Sequence, residues 1–354
     1  MKAVILAGGE GVRLRPLTLN LPKPMVPILN APFLEIMLYN LKNHGISDVI
    51  MTLCYLPDQI QQYFGNGHSF GMNIEYVLEN SPLGTAGAVK NVESLLDGTF
   101  IVLNGDIVTD LNISDMIQFH KNKNAKATIF LREVDDPSSF GVVETDGDGK
   151  VNRFFEKPKP GVTSSKWING GVYILEPDTI GSIPSDSFYM FENGLFPDLL
   201  QSGQLVSGFR QEPYWVDVGT YANYFKVNMD ILNGNYIHPS DTINSRGGLN
   251  LAISPTSHIN GSVTFGDNCI VGEGTTINGP SIFGRSCNVG NNSMISDCIL
   301  WESVEVGDNV SIIGSIIGSR VCVGDEVVVD SGCIIGDDVI IKSNQHISAG
   351  SILE

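Results

Sequence analysis

Val263-Thr264-Phe265-Gly266-Asp267-Asn268-Cys269-Ile270-Val271-Gly272-Glu273-Gly274-Thr275-Thr276-Ile277 sets Phe265, Val271 and Ile277 six residues apart. Extended in both directions, the step runs Ile253, Ile259, Phe265, Val271, Ile277, Phe283, Val289, Ile295. One residue is dropped before Leu300, Val306 and Ile312, and one more before Ile317, Val323, Val329, Ile335, Ile341, Ile347 and Leu353. All eighteen positions are aliphatic or Phe, and Gly follows eight of them. A period of six suits neither an α-helix nor one long strand. It suits short strands joined by tight turns, with each repeat burying its apolar residue only when its neighbours stack on it. The Gly stands where a side chain would obstruct the backbone. Cys269, Cys287 and Cys333 share the slot four places after a hexad start, which makes them interior filler.

Upstream, strand and helix patterns alternate. Lys2–Ala7 reads as a short apolar strand, and Phe33, Leu34, Met37, Leu38 and Leu41 recur at helical spacing before a stop at Gly45. Asp48–Leu53 and Asn73–Leu78 read as strands with a helix over Asp58–Phe64 between them. Thr85 is placed to cap a helix running to about Leu96, and Thr99–Leu103 is a nearly all-apolar strand. Gly141–Thr145 and Val151–Phe155 flank Asp146-Gly147-Asp148-Gly149 as a hairpin. The alternation predicts an α/β domain, a Rossmann-like, mostly parallel sheet flanked by helices, over residues 1–234. Residues 235–250 read as a linker and 251–354 as the repeat domain.

Composition narrows the function. At 354 residues the chain is long for one core. Charged residues are 17% and mean hydropathy is +0.08, yet no apolar run approaches the ~18 residues of a spanning helix. The expectation is a cytoplasmic protein with no membrane partner. A net charge of −18 disfavours nucleic acid, whose binding rests on neutralised phosphates. The first thirty residues run against that trend, with Lys2, Arg13, Arg15 and Lys23 against Glu10 alone. A basic, glycine-rich start on an acidic chain suits a small anionic ligand. The six cysteines lack both a secreted disulfide pattern and the paired spacing of a zinc site.

The first strand opens into Gly8-Gly9-Glu10-Gly11-Val12-Arg13-Leu14-Arg15-Pro16-Leu17-Thr18, followed by Pro22-Lys23-Pro24. Glycines let backbone N–H groups approach phosphate oxygens, and Arg and Lys add charge-assisted bonds. Neither the P-loop nor the dinucleotide fingerprint matches, since Gly-Lys-Ser/Thr is missing and Leu14 stands at the third Gly position. The full string instead resembles the signature of the sugar-1-phosphate nucleotidyltransferases, the NDP-sugar pyrophosphorylases. Further blocks follow in that family's order: Pro82-Leu83-Gly84-Thr85-Ala86-Gly87, Leu103-Asn104-Gly105-Asp106, Phe140-Gly141-Val142-Val143, Phe155-Glu156-Lys157-Pro158, Asn169-Gly170-Gly171 and Trp215-Val216-Asp217-Val218-Gly219-Thr220. The repeats are similar to the hexapeptide family, whose fold is a left-handed parallel β-helix with three hexads per coil, so eighteen hexads imply about six coils.

The resemblance implies that an NTP and a sugar 1-phosphate give an NDP-sugar and pyrophosphate. Arg13 and Lys23 would contact the NTP phosphates, with Leu6, Ala7, Gly8, Gly9, Gly11, Glu79, Pro82, Gly84 and Thr85 around the nucleotide. Asp106 and Asp217 would hold Mg²⁺, a hard cation suited to carboxylates and phosphate oxygens. Gly141, Glu156, Lys157, Asn169 and Gly170 would form the sugar-phosphate pocket. Thymidylyl members carry Gln five residues before the Gly of the Pro-Leu-Gly loop, where this chain has Glu79. An amide offers a donor and an acceptor to thymine or uracil, whereas guanine presents two adjacent N–H donors that suit a carboxylate. The expected substrates are therefore GTP and mannose 1-phosphate, with glucose-1-phosphate thymidylyl or uridylyl transfer as the alternative.

Two other readings compete. Hexapeptide helices also serve acyltransferases, which need a catalytic His; here His258 and His346 take ordinary surface places in their hexads. Some relatives are regulatory subunits without catalysis, but this chain keeps Arg13, Lys23, Asp106, Lys157 and Asp217. An open coil end would expose strand edges and apolar core, so the β-helix is expected to mediate a homo-oligomer.

Overall fold

The computed structural model describes residues 1–239 and 248–354. Lys2–Leu6 (β1) is short because Gly8-Gly9 ends it, and its Ala3, Val4 and Ile5 are fully buried. Asp48–Leu53 (β2) pairs with it in parallel on one edge, and Asn73–Leu78 (β3) pairs with β2. Phe100–Asn104 (β4) pairs in parallel with the other edge of β1. Leu34–Asn43 (α1) joins the chain back to β2, ending before Gly45 at φ +76. Pro57–Phe64 (α2) joins β2 to β3.

Beyond β4 antiparallel pairs enter the sheet. Ile107–Thr109 (β5) leaves it, and Ile113–Lys123 (α4) leads to Ala127–Glu133 (β6). Gly141–Thr145 (β7) and Val151–Glu156 (β8) form the expected hairpin, and Trp167–Leu175 (β9) runs antiparallel to β4, β6 and β7. Val206–Arg210 (β10) pairs in parallel with β6. Among the described residues the sheet has nine strands, ordered β8-β7-β9-β4-β1-β2-β3 with β6 and β10 off that path. It is therefore mixed. The parallel half follows the alternating apolar runs, while β9 turns the second half around. Val4, Ile50, Val102, Ile129 and Tyr173 share one buried cluster with Phe191 and Phe196.

The helix expected from Thr85 to Leu96 is corrected. It spans Gly84–Asn91 (α3) with Leu83 at its N-cap and no capping side chain. The Thr85 hydroxyl instead accepts the Phe191 backbone N–H at 2.9 Å. Beyond Asn91 the chain tightens into a 3₁₀ turn, Glu93–Leu95.

In the repeat region each of the eighteen stepped residues lies in a short strand, and these strands stack as three six-stranded parallel sheets. Pairing joins residues about eighteen apart, as in Ile277 with Ile295 and Val329 with Ile347. Three hexads thus make one coil and six coils stack. The stepped residues form a continuous core from Phe265 to Ile341, with Ile253, Ile347 and Leu353 partly buried at its ends. Cys269, Cys287 and Cys333 lie in this core, as does Cys298.

Packing divides the chain into two compact units, Met1–Glu10 with Met37–Asp217, and Gly11–Ile36 with Val218–Glu354. In the second unit Tyr221–Leu232 (α6) and the segment 11–36 pack with the β-helix strands. Residues 240–247 of the expected linker 235–250 lie outside the described residues.

Candidate active site

The order of the parallel strands locates the site. From β1 the chain moves one way to β2 and β3, then returns to the opposite side of β1 for β4. Such a reversal leaves a crevice at the carboxyl ends of the two diverging strands. Leu6 pairs with Asn104 there, and Gly105 N–H donates to Leu6 O at 2.9 Å. A Cβ on Gly105 would fall 2.2 Å from Leu6 O, so only glycine permits this approach. Ala7 N–H in turn donates to Thr52 O at 3.0 Å, at the end of β2. Leu6, Ala7, Gly8, Gly9 and Asp106 therefore gather at one end of the sheet.

Glu79 follows the last residue of β3 and joins them. Its Oε2 accepts the Leu83 N–H at 3.0 Å, and a Cβ built on Gly8 would lie 3.6 Å from its Oε1. Burial pushes its carboxyl above the ordinary value, against the Leu83 N–H and the Thr52 hydroxyl, which favour the charged form. The Leu83 contact ties Glu79 to the Pro82–Thr85 turn. Gly84, at φ +73, would place a Cβ 2.7 Å from Tyr189 O.

The two aspartates are brought to one place by a separate ladder. Trp215–Asp217 (β11) runs antiparallel to β5, with Asp217 opposite Ile107, the residue after Asp106. Both carboxylates are half-buried. Among the described residues no group of three or more His, Cys, Asp or Glu forms a metal cage. Two carboxylates set side by side by this ladder are the hard oxygen donors that suit Mg²⁺, which commonly binds through one or two carboxylates plus substrate phosphates.

A second group of candidate residues gathers where the β7–β8 hairpin meets β9. Glu156 pairs with Gly141, and a Cβ on Gly141 would lie 3.1 Å from Glu156 Oε2. Lys157 follows in the left-handed region at φ +45 and sets its Nζ 3.6 Å from Glu156 Oε1. Non-glycine residues held in that region cost about 1–3 kcal/mol and concentrate at functional sites. Gly170 cannot carry a side chain, because its Cβ would meet the Phe130 ring at 2.3 Å, and its carbonyl accepts the Trp215 indole N–H at 2.9 Å. Asn169 Nδ2 donates to the Tyr173 hydroxyl at 2.8 Å and to Glu192 Oε1 at 3.4 Å. Glu192 was not among the sequence candidates. It lies outside every recognised block, and its signal, a carboxylate opening the apolar run Gly194-Leu195-Phe196, is weak.

Gly11, Arg13 and Lys23 belong to the second compact unit. Gly11 has φ +65, and its Cβ would lie 2.9 Å from the Lys23 Cβ, so the turn rests on the lysine. The Thr18 hydroxyl donates to Gly11 O at 2.9 Å, bracing a 3₁₀ turn over Val12–Leu14. Arg13 is exposed and Lys23 buried. The Tyr224 hydroxyl donates to Pro27 O at 2.7 Å and accepts the Trp301 indole N–H at 2.9 Å. Asn30 Nδ2 donates to Phe283 O at 2.9 Å. The β-helix thus holds the segment that carries the two cations.

Residues 2–234 match the family model described as nucleotidyl transferase, and residues 247–347 match the LbH domain of the EIF2B epsilon subunit. Mannose-1-phosphate guanylyltransferase of Mycobacterium tuberculosis is 37% identical over 280 residues, 77% of this chain and 77% of that protein. UTP–glucose-1-phosphate uridylyltransferase of Synechocystis is 34% identical over 343 residues, 91% of this chain and 88% of that protein. Among solved structures, HddC from Yersinia pseudotuberculosis complexed with GMP-PN is similar with a TM-score of 0.56 and 32% identity, covering 64% of this chain and 97% of that one.

Proposed function

The chain belongs to the nucleotidyl transferase family, and on that premise we propose that it joins the guanylyl group of GTP to mannose 1-phosphate, giving GDP-mannose and pyrophosphate. The observation that carries the base assignment is Glu79. Its carboxylate lies beside Gly8 at the carboxyl ends of the strands, with Oε2 engaged by Leu83. An acceptor-only group there matches the N1–H and N2–H donors of guanine. The 37% identical guanylyltransferase supports the same choice.

The chemistry asks for alignment more than proton transfer. A phosphate oxygen of the sugar 1-phosphate is already ionised and attacks the α-phosphorus of GTP. The bond to the bridging oxygen breaks, and pyrophosphate leaves with that electron pair. Positioning and charge neutralisation supply the rate. Arg13 and Lys23 bind the triphosphate, and the backbone of Leu6–Gly9 and Gly11 cradles it. Pro82, Gly84 and Thr85 shape the turn beside the base. Gly141, Glu156, Asn169 and Gly170 hold the sugar, and Lys157 its phosphate. Asp106 and Asp217 would hold Mg²⁺, which when bound draws negative charge off the reacting phosphates. The enzyme is assigned to the cytoplasm and to a homo-oligomer through the β-helix. The divisions proposed are residues 1–234 for catalysis, 235–250 as linker and 251–354 for the β-helix.

A second reading, uridylyl transfer to glucose 1-phosphate, is favoured by the 34% identical relative from Synechocystis. Pyrophosphate release separates the two when ATP, GTP, CTP, UTP and dTTP are each crossed with mannose, glucose and N-acetylglucosamine 1-phosphates. GTP with mannose 1-phosphate is expected to turn over fastest, and only with Mg²⁺ present. A faster rate with UTP or dTTP moves the assignment to the second reading, and silence with every pair makes the chain a non-catalytic subunit.

A further inference from the structure

Glu192 bridges the Pro82–Thr85 turn and Asn169. It lies in a π-helical turn, Phe191–Leu195, that opens into Phe196–Gln201 (α5). Such turns are rare and frequent at functional sites. Its Oε2 accepts the Thr85 hydroxyl at 3.3 Å, and its Oε1 accepts Asn169 Nδ2 at 3.4 Å. Both bonds are long for a carboxylate, which usually draws its donors to 2.7–2.9 Å or closer. Each oxygen has a further lone-pair direction. Burial raises its pKa first of all, with its own backbone N–H opposing; the Glu156 carboxylate is near enough to add repulsion and the Lys157 ammonium near enough to attract it. This half-buried carboxylate holds two long side-chain bonds and a bond from its own backbone N–H beside a second carboxylate, and its remaining lone pairs can accept from hydroxyls.

We propose that Glu192 is a second sugar-binding carboxylate, which with Asn169 accepts hydrogen bonds from ring hydroxyls of the hexose 1-phosphate and so sets which hexose the pocket takes. This rests on the sugar-phosphate assignment of the Glu156–Asn169 pocket. Glu156 and Glu192 present acceptors only, so between them they select a sugar with adjacent free hydroxyls. The Asn169 amide serves both as donor to Glu192 and, through Oδ1, as acceptor of the Gly171 N–H at 3.1 Å, which fixes its orientation. The competing role is structural, with Glu192 as a negative charge near the N-terminus of α3, where it would favour the helix dipole.

The test is steady-state kinetics and thermal melting of the full-length wild type, Glu192→Gln and Glu192→Asp. The probes are GTP with mannose 1-phosphate and with its 2-, 3-, 4- and 6-deoxy analogues, and calorimetric titration of mannose 1-phosphate gives binding directly. Expected is a KM for mannose 1-phosphate raised about tenfold or more in both variants, since a charge-assisted bond is lost or stretched, with KM for GTP within twofold. At one ring position the penalty for removing the hydroxyl should be large in wild type and nearly vanish in Glu192→Gln, because the site no longer presents the acceptor. Glu192→Asp keeps the charge, so it separates the roles even if Glu192→Gln folds poorly. Unchanged sugar KM and unchanged deoxy penalties in a normally melting variant overturn the inference while leaving the pocket assignment intact. Wild-type protein that neither turns over nor binds any sugar 1-phosphate removes both.

Discussion

At the scale of single residues, three substitutions probe the site. Glu79→Gln replaces two acceptors by a donor and an acceptor, so kcat/KM for GTP should fall about tenfold or more relative to UTP or dTTP; an unchanged ratio in an NTP panel removes the guanine argument. Its pH dependence has a definite sign. Burial raises the Glu79 carboxyl, so protonation begins at a higher pH than for an exposed carboxylate, and the GTP preference should weaken on acidification. In Glu79→Gln that dependence should be flat. Asp217→Asn keeps the shape of the β5–β11 ladder but removes a charge from the proposed metal-binding pair, and kcat should drop by about two to three orders of magnitude, in the range of losing one preorganised electrostatic contact. Gly170→Ala should cost about 1–3 kcal/mol in urea denaturation, because its Cβ would meet the Phe130 ring at 2.3 Å.

The repeat glycines are instructive at the level of the element. Gly266, Gly284, Gly290 and Gly307 have ordinary φ angles, yet a Cβ on each would lie 2.4–2.5 Å from atoms of the next coil. Close approach is their reason. The left-handed positions fall mostly three places after a hexad start, on residues such as Asn268, Asn292, Asn309 and Glu326. A buried polar ladder also runs between coils. The Ser293 hydroxyl donates to Gly307 O at 3.0 Å and accepts the Val310 N–H at 3.0 Å, and Ser315 does the same for Asp330 O and the Cys333 N–H. Ser315→Ala should therefore destabilise by about 1–3 kcal/mol, since it strands a buried donor and a buried acceptor. Denaturant unfolding that matches wild type would contradict this.

Across the whole molecule, one face of the β-helix differs from the others. Its strands carry doublets in which Phe283, Leu300, Ile317 and Ile335 face inward and Ile282, Ile299, Ile316 and Ile334 outward, yet the outward four are no more than 5% exposed. On the other faces Ile270 is 48% and Ile340 74% exposed. The covered face is where Asn30, Tyr224 and Pro16 make their contacts with Phe283, Trp301 and Gly336. Replacing Ile299 and Ile316 together by Ser should lower Tm and raise KM for the NTP, because the segment bearing Arg13 and Lys23 loses its support. Ile340→Ser should change neither. Light scattering should report a homo-oligomer, since unpaired strand edges at the coil ends invite pairing; a monomer would count against the β-helix as an assembly device.

Much of this was legible in the chain because it is local or periodic. A hexad shows its inward residue directly, and a strand–helix alternation shows its sheet. The motif blocks named their candidates through the family resemblance they carry. The blocks could not reveal Glu192, which meets Thr85 and Asn169 only through a turn more than a hundred residues beyond the first and twenty-three beyond the second. Nor could periodicity disclose that the 11–36 segment packs with the β-helix, although the Ile–Ile doublets at 316–317 and 334–335 were a hint. Which carboxylates share a pocket and which face is covered depend on long-range packing, where free energy comes from surfaces that meet only once the chain has folded.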